Sequence, residues 1–201
     1  MKPATRAEMF ALVQALDAID HLGLGTAALI AFEWHQRPEN ILAGHISWSD
    51  YRPADRPNEV CIFHRKTNER VWLPLEETLP DGAVRRFYPE LEDRLATMHR
   101  QGVPIVLMRP YRKRPATIYN PKEASRHIRR ARAAASLGAH VTLAGCRHGG
   151  MTLLGDAQLT EQQTMALSGH STPSAARGYV KHTATQRVAG ARRRRDFIDG
   201  G

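Results

Sequence analysis

The stretch GHSTPSAARGYVKHT, residues 169–183, sets one tyrosine, Tyr179, nine residues after one histidine, His170. Thr172 and Pro173 suit the start of a short helix, the first as a cap and the second in the opening turn. Residues 173–178 then make little more than one turn, roughly 9 Å at about 1.5 Å per residue. Side chains at the two ends of so short a segment can converge on one small group. Gly178 loosens the backbone directly before the tyrosine. A phenol titrates near ~10 and attacks only a highly activated target. A phosphodiester becomes such a target when cations neutralise its non-bridging oxygens as charge builds in the transition state. Arginine suits that work, because its planar fork gives two parallel hydrogen bonds and keeps its proton.

The rest of the chain supports a polyanionic partner. Its 201 residues carry a formal charge of +9 with 42% hydrophobic content, enough for one ordinary core. The isoelectric point is near 10.1. No run approaches the roughly 18 apolar residues of a membrane span, and MKPATRAEM lacks a signal-peptide apolar core. The expected setting is therefore cytoplasmic and nucleoid-associated, without a membrane. Cys61 and Cys146 stand far apart, which fits a reducing compartment and no disulfide framework. The ten histidines show no H-E-x-x-H or paired Cys/His spacing, so no metal and no cofactor is expected. GLGTAA (23–28) imitates a dinucleotide fingerprint but lies in a helical pattern.

Periodicity predicts helices over 5–20, capped by Thr5, and over 25–36, with a short one from Pro38 to Gly44. Three strand-like runs follow, HISWSDY (45–51), EVCIFHRK (59–66) and RVWLPL (70–75), with RKTNER turning a hairpin between the last two. Helices are predicted over 81–101, 121–137, 147–155, 160–168 and 172–178. The fourth of these has a capping box, Thr160 with Gln163, and a stop at Gly169. The stretch 103–120 reads as a basic, proline-punctuated loop. The expected fold class is mainly α with one small antiparallel three-stranded sheet.

Four segments resemble one family, the tyrosine recombinases or phage integrases. QRPENILAGHISWSDY is similar to the R-x-x-E segment that opens their active site, and FHRKTNERVWLPL to their β-hairpin, whose lysine reaches into DNA. LAGCRHGGMTLL resembles their H-x-x-R-H box, and LSGHSTPSAARGYVKHT their G-H…Y box. The resemblance runs from the first helix through Tyr179 and the helix after it, in the family's order and at its intervals. It implies that residues 1–201 form a catalytic domain of integrase-like fold, with 183–201 a basic C-terminal tail. It also implies that the family's N-terminal DNA-clamping domain is absent from this chain. By position, Arg37 and Arg147 would grip the scissile phosphate, and Lys66 would protonate the leaving 5′-oxygen. His170 would orient the phosphate, and Tyr179 would form a 3′-phosphotyrosyl link. Glu39, His140 and His148 would support the site, and Arg65, Lys66, Arg112 and Lys113 would contact the duplex. Metal and ATP are not required. The partner implied is double-stranded DNA, with four protomers assembled on it and an isolated domain monomeric away from it.

One position departs from the pattern. Ala144 stands where the family has the histidine thought to accept the tyrosine proton. His140, His148 or water are the candidate replacements. A DNA-binding protein of the same fold without catalysis is the alternative this residue raises. A metal-dependent nuclease and a major-groove repressor are more distant rivals, since Asp50, Asp55 and Glu59 show no ligand spacing. RRRR (192–195) reads as a DNA track, a solvated face or, by the resemblance, a segment docking on a neighbouring subunit.

Overall fold

The computed structural model describes residues 2–64, 68–110, 115–170, 172–174 and 183–200. Lys66, Arg65, Arg112, Lys113, Tyr179 and the predicted helix over 172–178 beyond residue 174 lie outside the described residues.

The chain opens with α1 (Arg6–Ala18), whose start is fixed by the predicted cap. The Thr5 hydroxyl accepts from the Glu8 amide and the Glu8 carboxylate accepts from the Thr5 amide. Its Met9, Leu12, Val13 and Leu16 are buried against α2 (Leu22–Glu33), which is apolar almost all round and forms the centre of the core. The glycines of GLGTAA serve close packing inside this helix. A Cβ on Gly25 would stand 2.6 Å from the Arg94 guanidinium. That guanidinium forks onto Asp17 at 2.6 and 2.8 Å and donates to Thr26 Oγ1 at 2.8 Å. It thereby ties α1 and α2 to α4 (Pro89–Thr97). The short α3 (Pro38–Leu42) follows with Pro38 at its first position.

The sheet differs from the expectation. There is no single three-stranded sheet among the described residues. Strand β1 (Glu59–His64) pairs antiparallel with β2 (Glu69–Pro74), and β3 (Glu76–Thr78) pairs with β4 (Val84–Arg86). The run 45–51 is held by its own polar side chains instead. Ser47 Oγ donates to Asp50 Oδ2 at 2.6 Å and bonds Ser49 Oγ at 2.7 Å, while the Asp50 amide donates to the Ser47 carbonyl. Such local side-chain bonding competes with a strand ladder. What remains is isolated pairing, Ser47 with Pro104 and Tyr51 with Val60. The predicted helix over 81–101 is likewise shortened to α4, because residues 79–83 turn tightly at Asp81–Gly82 and feed β4.

The remaining helices are α5 (Pro121–Ala134), α6 (Leu143–Asp156), α7 (Glu161–Ser168) and α8 (Ala184–Gly200). Helix α6 begins four residues earlier than the sequence suggests, because Thr142 caps it by accepting from the Gly145 amide at 3.0 Å. It packs along α2. Close approach is possible because Gly149 and Gly150 face the α2 end. A Cβ on Gly150 would stand 1.9 Å from the Phe32 carbonyl oxygen. Both thiols are inside, Cys61 and Cys146, and burial pushes the Cys146 thiol up to about 12. Among the described residues no helix is long and apolar enough to cross a membrane.

Candidate phosphate-binding site

Three segments meet at the contact between α2 and α6. Arg147 lies one turn into α6 and is 3% exposed. A guanidinium buried so completely is tolerated only where acceptors meet it. One is His170, whose Nε2 lies 3.3 Å from Arg147 Nη2. His170 follows the end of α7, and the chain reaches it through Gly169, whose left-handed φ of 65° stops the helix as predicted. At the other end of α7 the expected capping box is present, Thr160 with Gln163.

The hydrogen bonds fix the His170 ring. Ser168 Oγ donates its one proton to the Thr164 carbonyl at 2.6 Å. The 2.7 Å contact between Ser168 Oγ and His170 Nδ1 therefore places the proton on Nδ1. That leaves the Nε2 lone pair to accept from Arg147. His170 is 6% exposed, so the chain Thr164–Ser168–His170–Arg147 is a buried polar network.

Arg37 stands on the third segment, between α2 and α3. It is half-buried at the N-cap of α3, and the ion pair with Glu39 that its sequence position allows does not form. Glu39 is exposed and follows Arg37 by two residues, one short of the R-x-x-E interval. His148 sits beside Arg147 on α6, half-buried, its carbonyl accepting from Thr152. His140 serves a different purpose. Its Nε2 faces both Glu8 oxygens at 3.1 and 3.2 Å and ties the α6 approach to α1. Ala144 lines a cavity of about 690 Å³ together with Pro38, Glu39, Leu42 and Leu143. Among the described residues no group of three His, Cys, Asp or Glu side chains could hold a metal ion.

One residue of this neighbourhood escaped the sequence reading. His35 is 5% exposed and has a left-handed φ of 56°. Its ring packs against Gly150, since a Cβ there would lie 3.1 Å from His35 Cδ2. Burial, then the charge of Arg147, depress its pKa to about 4, and His170 adds to the effect. The carbonyls of Leu167 and Gly150 oppose this. Yet Nδ1 makes no hydrogen bond among the described residues. The only sequence signal was its position two residues before Arg37.

No family model and no curated protein sequence matches the chain. Solved structures do. A lambda integrase dimer bound to a COC′ core site superposes with a TM-score of 0.65 at 20% identity, over 90% of this chain and 48% of that one. The lambda integrase catalytic core gives 0.61 at 21% identity, over 85% and 96%. XerA recombinase gives 0.64 at 12% identity, over 97% and 64%. The chain thus spans about half the length of that DNA-bound lambda integrase and nearly all of the catalytic core. The fold it carries is that of the catalytic domain of tyrosine recombinases.

Proposed function

We propose that this chain binds double-stranded DNA and cuts and rejoins it through a tyrosyl intermediate, as the catalytic domain of a site-specific recombinase or integrase. The observation that carries the reading is the buried Arg147–His170–Ser168 chain, with Arg37 taken as the second guanidinium from its position in the sequence. Two guanidinium groups there would neutralise the non-bridging oxygens of a scissile phosphate. Once Arg147 turns to the phosphate, His170, still held by Ser168 at Nδ1, would take a proton on Nε2 and donate it to the same phosphate.

In the proposed step the Tyr179 oxygen attacks phosphorus, its proton leaving to a base. The P–O5′ bond breaks, and Lys66 gives its proton to the departing 5′-oxygen. The product is a 3′-phosphotyrosyl ester and a free 5′-hydroxyl. The reverse step, with the 5′-hydroxyl of another strand, restores the phosphodiester and frees the tyrosine. The ester energy is conserved, so no ATP is consumed and the residues supply the charge a metal would otherwise bring. Similar structures include a lambda integrase tetramer on a Holliday junction and XerH in a post-cleavage complex with its difH substrate. Assembly of four protomers on two duplexes is proposed here by that likeness.

A duplex carrying the recognition site and a nick beside the cleavage point lets the cut end diffuse away. The expected outcome is a protein–DNA adduct on a denaturing gel, lost in Tyr179→Phe. Failure to form an adduct on the right site overturns the reading. Ala144 favours a second reading, binding without catalysis. It predicts strongly salt-dependent binding with no adduct. Ala144→His separates the two. If the missing histidine limits proton removal, the variant gains activity within the range of general-base effects, about 10²–10⁴-fold.

A further inference from the structure

We propose that His35 is a positioning residue of the phosphate site: its ring, set between Gly150 of α6, Leu167 near the end of α7 and the Arg147–His170 pair, fixes how those two side chains are presented to a DNA phosphate. This rests on the reading of Arg147 and His170 as phosphate ligands. Three observations carry it. First, the ring touches or feels each segment of the site. It packs at Gly150, shares a cavity of about 140 Å³ with Gly150 and Leu167, and lies within the electrostatic reach of Arg147 and His170. Second, the backbone pays for placing a side chain here. His35 adopts φ 56°, a conformation glycine takes freely and other L-residues take only with strain. Third, the link is short. Arg37 lies two residues on, so the turn that seats the ring also leads directly into the Arg37 segment.

The chemistry of the ring matters as well as its bulk. As a neutral imidazole it adds no further positive charge behind Arg147. It still offers polar atoms to the Leu167 and Gly150 carbonyls at the base of the site. A purely structural histidine would affect stability and leave the state of His170 unchanged.

The test uses the full chain with ¹⁵N-labelled histidine, inorganic phosphate as the probe, and His35→Phe and His35→Gln variants. In the parent chain, phosphate should perturb the His170 ring resonances, and Arg147→Ala should abolish the response. In folded His35→Phe the phosphate affinity at His170 should fall at least fivefold. His35→Gln, which keeps a polar side chain, should recover part of it. An unchanged phosphate affinity in both variants overturns the proposal while the phosphate site stands. Failure of both variants to fold also overturns it, leaving His35 a core residue. No phosphate response in the parent chain sinks the underlying reading instead.

Discussion

Glu33 and His35 stand two residues apart at the end of α2, and burial drives them in opposite directions. Burial raises the Glu33 pKa to about 7, with Arg6 opposing and Glu90 reinforcing the shift, while His35 falls to about 4. The folded state therefore keeps a proton on Glu33 that the unfolded chain releases from about pH 4.5 upward. Stability associated with that proton is full below pH 4.5 and is lost as pH rises through about 7. His35 has the reverse sign. The unfolded ring takes a proton near pH 6.5 that the folded ring refuses, so its stability contribution is present above that value and is lost as pH falls toward 4. Glu33→Gln should raise stability at pH 8 by at most about 3 kcal/mol, the rise from 4.5 to about 7 counting about 1.4 kcal/mol per unit, and leave it nearly unchanged at pH 4.5. Urea unfolding at the two pH values measures this, and equal gains at both would refute it. The sequence singled out Arg37, Arg147 and His170 because their neighbours form recognisable boxes, and of these Arg147 and His170 meet in the structure. His35 was not, because neither its left-handed backbone nor its contact with Gly150 leaves a mark in a linear pattern.

At the scale of elements, α7 shows how a helix end positions a reactive side chain. The Thr160–Gln163 box starts it, Gly169 ends it, and Ser168 and His170 emerge with their hydrogen bonds already set. Gly169→Ala places a Cβ in the left-handed region and should cost about 1 kcal/mol. It should also weaken DNA binding or cleavage by displacing His170, whereas Thr160→Ala should cost about 1 kcal/mol and leave the site alone. Thermal unfolding beside a binding titration separates the two; equal functional loss in both variants would contradict the argument. These caps were readable in advance because each rests on contacts within three or four residues. The sheets were less so. Ser47, Ser49 and Asp50 alternate like a strand yet bond one another, and the Asp81–Gly82 turn was absorbed into a predicted helix although such a pair is a hairpin signal.

Across the whole molecule, the excess positive charge is spread over exposed helical surfaces. Arg126, Arg129 and Arg130 of α5 and Arg192 to Arg195 of α8 all face solvent. Helix α8 is anchored beside α6, where Gln186 donates to Asp156 at 3.1 Å and Arg193 donates to Gln158. If its arginines follow the duplex, replacing Arg192, Arg193 and Arg194 with glutamine should lower the slope of log K against log salt by about 2 to 3, since each phosphate contact contributes about 0.9. Fluorescence anisotropy over a salt series reads the slope, and an unaltered value assigns them to solvent. The order of the sequence boxes identified the fold, but only folding brings residues 35, 147 and 170 together from three separate segments. The enclosure of Cys61 and Cys146 has a practical use. A maleimide fluorophore would find no accessible native thiol, so a single cysteine placed at the exposed Val188 of α8 would take the dye alone and report this helix's encounters directly.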